Sequence, residues 1–125
     1  MLKGAVLYAK NLENLTQFYL QIGGQITDEG KGEFSAISNG GTELIILQTP
    51  SEVASQIVID DPPAIRSATP LKPILETSSI EDVLHDIFKF GGRPVPGAKR
   101  WKFRKYLVQD IVDPEGNVVQ LWQSE

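Results

Sequence analysis

Asp113-Pro114-Glu115-Gly116-Asn117 runs straight into Val118-Val119-Gln120-Leu121-Trp122-Gln123, and this stretch decides the fold. Pro and Gly set a tight turn, Asn tolerates the left-handed conformation, and the alternation behind them predicts a closing β-strand. Working back from that strand, the chain repeats itself. Leu2 to Lys10 alternates as a strand; Asn11 then reads as a helix N-cap, with Leu12, Leu15, Phe18, Tyr19 and Ile22 at helical spacing before Gly23-Gly24 stops the helix. Further on, Leu71 to Thr77 is strand-like, Ser78 and Ser79 cap a helix with Ile80, Val83, Leu84 and Ile87 on one face, and Gly91-Gly92 ends it.

Asn11 matches Ser79, and Gly23-Gly24 matches Gly91-Gly92, at one displacement of 68, which marks a duplication. Each half continues as strands. The first has Gln25 to Asp28, Glu33 to Ser38 and Thr42 to Gln48; the second has Arg93 to Val95, Tyr106 to Val112 and Asn117 to Gln123. Gly41 aligns with Gly116 at a displacement of 75, so the second half carries seven extra residues, placed most simply in the Pro96 to Phe103 loop. The reading is one domain of two βαβββ modules, residues 1–48 and 71–125, joined by a connector over 49–70. Pro50, Pro62, Pro63 and Pro70 make most of that connector irregular, while Gln56-Ile57-Val58-Ile59 could add a short strand.

Composition narrows the possibilities. At 125 residues the chain can bury about two thirds of its unfolded surface without a staple. It has no cysteine, which excludes a disulfide framework, a thiolate nucleophile and Cys-ligated metal, and suits the cytoplasm. The apolar start at Met1 lacks a signal peptide's basic region, and no window reaches membrane-span length, so a cytoplasmic protein without a membrane partner is expected. A net charge of −4 speaks against general nucleic-acid binding. Lys99 to Tyr106 is the exception, with five cations and three aromatics in eight residues. A single-strand nucleic-acid platform has this composition. The rest of the chain stands at −9 with no second basic patch, so the segment reads as a solvated loop with Trp101 or Phe103 folded over a cleft. Arg100 or Lys102 could there attract an anion.

The two βαβββ halves, the Phe18-Tyr19 pair before a Gly-Gly stop, and the terminal Asp-Pro-Glu-Gly-Asn resemble the vicinal oxygen chelate superfamily, the glyoxalase, bleomycin-resistance and extradiol-dioxygenase group. The resemblance implies an α+β fold in which each module is a curved, partly open mixed sheet with its helix outside. It also implies a small-molecule cleft between modules and pairing as a homodimer. Enzymes of that group hold a divalent metal at four strand positions, which fall here on Gly4, Ile45, Lys72 and Gln120. Glycine and isoleucine cannot ligate, an ammonium repels a cation, and one neutral amide oxygen falls short of the three or so protein ligands of a catalytic site. The expectation is therefore no metal and no cofactor.

Strand alternation supplies the expected cleft lining: Tyr8, Ile45, Leu47, Lys72, Ile74, Glu76, Gln120 and Trp122, joined by Trp101. The lining is mostly apolar with a few directional polar groups, as in small-molecule pockets. Lys72 and Glu76 are weak candidates for a catalytic base, and lie about 13 Å apart along their strand. His85 falls off the apolar stripe of its helix and should face solvent. The leading expectation is a metal-independent protein, like the bleomycin-resistance group, that binds or sequesters a small organic molecule. The alternative is an enzyme (lyase, isomerase or dioxygenase) with a non-standard or metal-free site.

Overall fold

The computed structural model describes residues 1–125 and contains nine strands and three α-helices. Module one is β1 (Gly4–Ala9), α1 (Leu12–Gln21), β2 (Gln25–Gly30), β3 (Phe34–Ser38) and β4 (Glu43–Gln48). The connector holds only a single helical turn, α2 (Ser51–Ala54). Module two is β5 (Ile74–Thr77), α3 (Ile80–Asp86) running into a 3₁₀ turn (Ile87–Phe90), β6 (Arg93–Pro94), β7 (Trp101–Phe103), β8 (Tyr106–Val112) and β9 (Val118–Ser124). Each module forms its own mixed sheet: β1-β4-β3-β2 in the first and β5-β9-β8-β6 in the second, with β7 also on β8. β1 runs parallel to β4, and β5 parallel to β9, while the other pairings are antiparallel.

The duplication holds at the level of single bonds. Val6 pairs with Ile45 in module one; shifted by 68 and 75, these become Ile74 and Gln120, which pair in module two. Asn11 Oδ1 accepts from Asn14 N at 3.1 Å, and Ser79 Oγ from Asp82 N at 3.2 Å. Gln48 Oε1 accepts from Leu12 N at 2.9 Å, and its counterpart Gln123 Oε1 from Ile80 N at 2.8 Å. In each half, therefore, the last strand reaches round to satisfy the first free N–H of the helix, a donor that has no partner within the helix itself.

One core serves both modules. Leu15, Phe18 and Tyr19 of α1 and Ile80 and Ile87 of the second helical segment are buried together with Ile37, Ile46, Ile111, Val119 and Leu121 from the sheets. These positions alternate along their strands, so one face of each sheet is covered by helices and the other is not. Burying a side chain of this size contributes about 1.5–3 kcal/mol.

The Asp113–Asn117 turn locks the modules together. Asp113 is fully buried; its Oδ1 accepts from Glu115 N and Asn117 N, both at 2.9 Å, and its Oδ2 from Asn117 Nδ2 and Tyr19 OH, both at 2.8 Å. Burial pushes the Asp113 carboxyl up from its ordinary value, and these donors pull it part of the way back. Burial, then the charge and hydrogen bond of Asp113, push the Tyr19 hydroxyl well above its own. Glu115, 5% exposed, reaches module one, where its two oxygens accept from Lys10 N and Asn11 N, each at 2.8 Å. Gly116 is required twice over: its φ is +90°, and an added Cβ would stand 2.1 Å from the Ala64 carbonyl oxygen of the connector.

Two local expectations change. Gln56–Ile59 forms no strand; after α2 the chain is irregular, with Val58 projecting into solvent. The segment before β8 is not simply a loop, because Trp101–Phe103 pairs with Val108, Leu107 and Tyr106 as a hairpin. Residues 96–100 bulge out between β6 and β7, which pair with the same edge of β8. No helix is long and apolar enough to cross a membrane.

Candidate functional site

The helix-free face of module one is built from β1, β4 and β3. Gly4, Val6 and Tyr8 stand opposite Glu43, Ile45 and Leu47, which in turn face Ser38, Ala36 and Phe34. This surface is apolar and uncovered, with Val6 55% and Tyr8 64% exposed. At its connector end lies an open depression of about 1020 Å³, where Tyr8 and Leu47 meet Lys10, Glu33 and the Thr49–Ser51 start of the connector. Lys10 is held there by donating its Nζ to the Ile57 carbonyl.

The corresponding face of module two is aromatic at one end and polar at the other. Trp101, Val108 and Trp122 lie side by side in register, as do Phe103, Tyr106 and Ser124. The Trp122 ring meets Tyr106 at 4.8 Å and Phe103 edge-on at 5.6 Å between centroids, and Val108 is completely buried between the two tryptophans. Toward the other end, Ile74 pairs with Gln120 and Glu76 with Trp122. Lys72, just before β5, extends across β9 to Asp110 Oδ2 at 2.8 Å, and Asp110 is the register partner of Gln120. Gln120 Oε1 accepts from Trp122 Nε1 at 3.0 Å.

The face therefore groups Lys72, Ile74, Glu76, Trp101, Gln120 and Trp122, while Tyr8, Ile45 and Leu47 are grouped on module one. All nine expected lining residues lie on helix-free faces. No strand of one sheet pairs with a strand of the other, so the two groups do not meet through a shared sheet. Glu76 is exposed, and its backbone N–H and carbonyl are bonded by the Asn39 side chain of module one, an inter-module contact.

The basic stretch does not face the cleft surface as a unit. Lys102 pairs in register with Leu107, on the helix side, and its Nζ meets Glu125 at 3.1 Å. Arg100 is paired to Glu81 of α3. Arg100 and Lys102 are thus each engaged by an acid on the surface. His85 is solvent-exposed and bonded to its neighbour Asp86 at 2.9 Å.

No protein-family model matches this sequence, and no curated protein matches it. Solved structures do. A glyoxalase/bleomycin resistance protein/dioxygenase family enzyme from Burkholderia phytofirmans superposes with a TM-score of 0.68 at 11% identity, covering 98% of both chains. A bleomycin-binding protein in complex with bleomycin gives 0.58 at 15% identity over 100% of this chain and 99% of that one. The chain has the vicinal oxygen chelate fold. A mutant of the fosfomycin resistance protein FosX from Listeria monocytogenes, bound to Mn(II) and a dihydroxypropylphosphonic acid, shares it at 0.67 and 12% identity, covering 100% of this chain and 90% of that one.

The FosX structure of this fold holds Mn(II), and the residues here do not fit a divalent metal. Gly4 cannot be replaced by a ligating residue without rebuilding the edge, because a Cβ there would sit 1.8 Å from the Glu43 carbonyl oxygen. Ile45 is apolar, the Lys72 ammonium is paired with Asp110, and the Gln120 oxygen is engaged by Trp122. No three His, Cys, Asp or Glu side chains come together elsewhere. Sequence reasoning missed Asp110, Tyr106 and the connector wall. An aspartate midway along an apolar strand, with Gln120 aligned opposite it, was the available signal for the first.

Proposed function

We propose that this protein binds a small organic molecule without a metal, in a cleft formed when the helix-free face of one module meets that of the other module in a second copy. The observation that carries this is the exposure of apolar side chains on both faces: Val6 and Tyr8 on β1, Ile74 at 49%, Phe103 at 48% and Trp101 at 39% on module two. Contiguous apolar surface of this kind marks an interaction site. Because the two faces differ, a two-fold pair would place module one of each copy against module two of its partner, giving two equivalent clefts. The mixture of aromatic surface with Lys72, Glu76 and Gln120 suits ligand orientation, and bleomycin binding by a protein of the same fold makes sequestration the favoured form of the activity. Cytoplasmic residence agrees with the absence of cysteine.

The test uses protein purified without chelator. Sedimentation velocity at micromolar concentration is expected to show a dimer that Ile74→Glu converts to monomer. Elemental analysis should find divalent metal well below one per chain. A thermal-shift screen of neutral and charged aromatics should find stabilising compounds, since a ligand at about 100 times its Kd adds about 2.7 kcal/mol. A stoichiometric, tightly held metal would overturn the metal-independent reading, and a wild-type monomer would overturn completion of the cleft by a second copy.

A further inference from the structure

The duplication gives the two helix-free faces equivalent positions with opposite chemistry. Gly4, Ala36 and Ile45 of module one correspond, by register, to Lys72, Asp110 and Gln120 of module two. One face is stripped to hydrogen and alkyl groups, while the other carries an ammonium, a carboxylate and an amide. We propose that module two selects a neutral, flat molecule bearing a carbonyl or similar acceptor, with Lys72 and Gln120 donating to that acceptor and Trp122 stacking on the ring; this rests on the cleft reading above.

Three observations fix the chemistry. The first concerns Gln120. Trp Nε1 is a donor only, so the bond from Trp122 orients the Gln120 amide with its oxygen toward the indole and leaves the Nε2 hydrogens free to donate. Second, the Lys72 ammonium has three hydrogens, of which Asp110 Oδ2 takes one; the side chain remains 37% exposed, so further donors are available. The polar end of the face therefore offers donors, and an acceptor group answers them. The remaining oxygen, Asp110 Oδ1, is buried without a partner, so it holds charge beneath Lys72 without being open to the ligand.

The third observation is the balance of charge. Asp110 cancels Lys72 at 2.8 Å, and Glu76 stands next along β5, in register with Trp122. An anion would gain little from an ammonium already neutralised and would meet Glu76, while a cation would meet two donors. Asp110 acts as a positioning residue: it holds the Lys72 ammonium over β9 and removes its preference for anions. The flat body follows from the aromatic wall of Trp101, Phe103, Tyr106 and Trp122, which in the proposed pair meets the apolar surface of module one.

The experiment uses three molecules sharing a phenyl ring: acetophenone (neutral acceptor), benzoate (anion) and benzylammonium (cation), each titrated at millimolar concentration into ¹⁵N-labelled full-length protein. Two signals report: the Trp122 indole N–H, one of two indole signals because the chain has two tryptophans, and the Gln120 side-chain amide. Acetophenone is expected to move both, with affinity at least about ten-fold above the other two, a difference of about 1.4 kcal/mol. In Asp110→Asn, benzoate should overtake acetophenone. Should that variant not fold, Lys72→Gln serves instead: acetophenone weakens and benzylammonium gains against the uncompensated Asp110. Benzoate binding the wild type as tightly as acetophenone overturns the inference, as does failure of all three to move either signal, or an unchanged order of preference in the folded variants. None of these outcomes touches the cleft reading, which the sedimentation, metal and thermal-shift measurements decide.

Discussion

Replacing Glu115 by Gln tests whether the turn that marks the fold also joins its halves. The Glu115 carboxylate accepts from Lys10 N and Asn11 N, each at 2.8 Å, and is 5% exposed. It lies at the N-terminal end of α1, where a negative charge is favoured by the helix dipole, an effect of up to about 2 kcal/mol when partly buried. Gln keeps the shape, but it loses the charge and turns an NH₂ toward one of two backbone donors. Losing one hydrogen bond to a charged acceptor costs about 1.5–3 kcal/mol, and weakening the other adds to this, so a loss of about 3 kcal/mol is expected. Against a total of about 5–15 kcal/mol, that is a large fraction. The assay is urea denaturation at fixed protein concentration, followed by far-ultraviolet circular dichroism and by tryptophan fluorescence. Both tryptophans belong to module two, so fluorescence reports that half while dichroism reports both. If Glu115 clamps the modules, the variant should unfold at lower urea and the two probes should separate, module one melting first. A loss below about 1 kcal/mol, the range of an exposed ion pair, with coincident transitions would refute the clamp.

Two further outcomes follow from the same structure. Tyr19 has its hydroxyl pushed well above the usual value of about 10, so above that pH the unfolded chain releases this proton while the folded one keeps it. The stability it contributes is present below about pH 10 and is lost as pH rises, at about 1.4 kcal/mol per pH unit, until the folded hydroxyl ionises. Urea midpoints of wild type and Tyr19→Phe should therefore converge between pH 8 and pH 11, and a constant gap would refute this. Arg104, in the β7–β8 turn, has φ of +56°. Arg104→Gly should relieve about 1–2 kcal/mol of left-handed strain and return about 0.5–1 kcal/mol as chain entropy, raising Tm by a few degrees; a lower Tm would refute the strain.

The elements that could be read in the sequence are those whose signals are local. Asn11 and Ser79 cap helices with their own side chains, the glycine pairs stop them, and the Asp113–Asn117 turn is closed by bonds spanning two and four residues. Alternation along β1, β4, β5 and β9 was enough to put Tyr8, Ile45, Leu47, Ile74, Glu76, Gln120 and Trp122 on helix-free faces. What escaped the reading depends on distant partners. Trp101–Phe103 is too short to show a period and becomes a strand only by pairing with β8. Gln56–Ile59 has the composition of a strand but pairs with none. The pairing of Lys72 with Asp110 spans 38 residues and crosses β9, so neither residue alone announces it.

The duplication lets one scaffold present different chemistry at equivalent positions. The four positions that the resemblance assigns to a metal come in two equivalent pairs; in module one the two members lie diagonally across the β1–β4 ladder, where Gly4 pairs with Glu43 and Ile45 with Val6. In module one the pair is Gly4 and Ile45, and the close approach of Gly4 to the Glu43 carbonyl closes that position to any side chain. In module two, Lys72 places a positive charge beside Gln120, and Asp110 neutralises it. Lys72 and Gln120 then offer hydrogen-bond donors where a metal would offer a Lewis acid. Such donors can hold and orient a carbonyl, but paired with Asp110 they polarise it far less than a divalent ion would. Under the proposed function, the contrast between an apolar half and a donor-bearing half gives the cleft its direction.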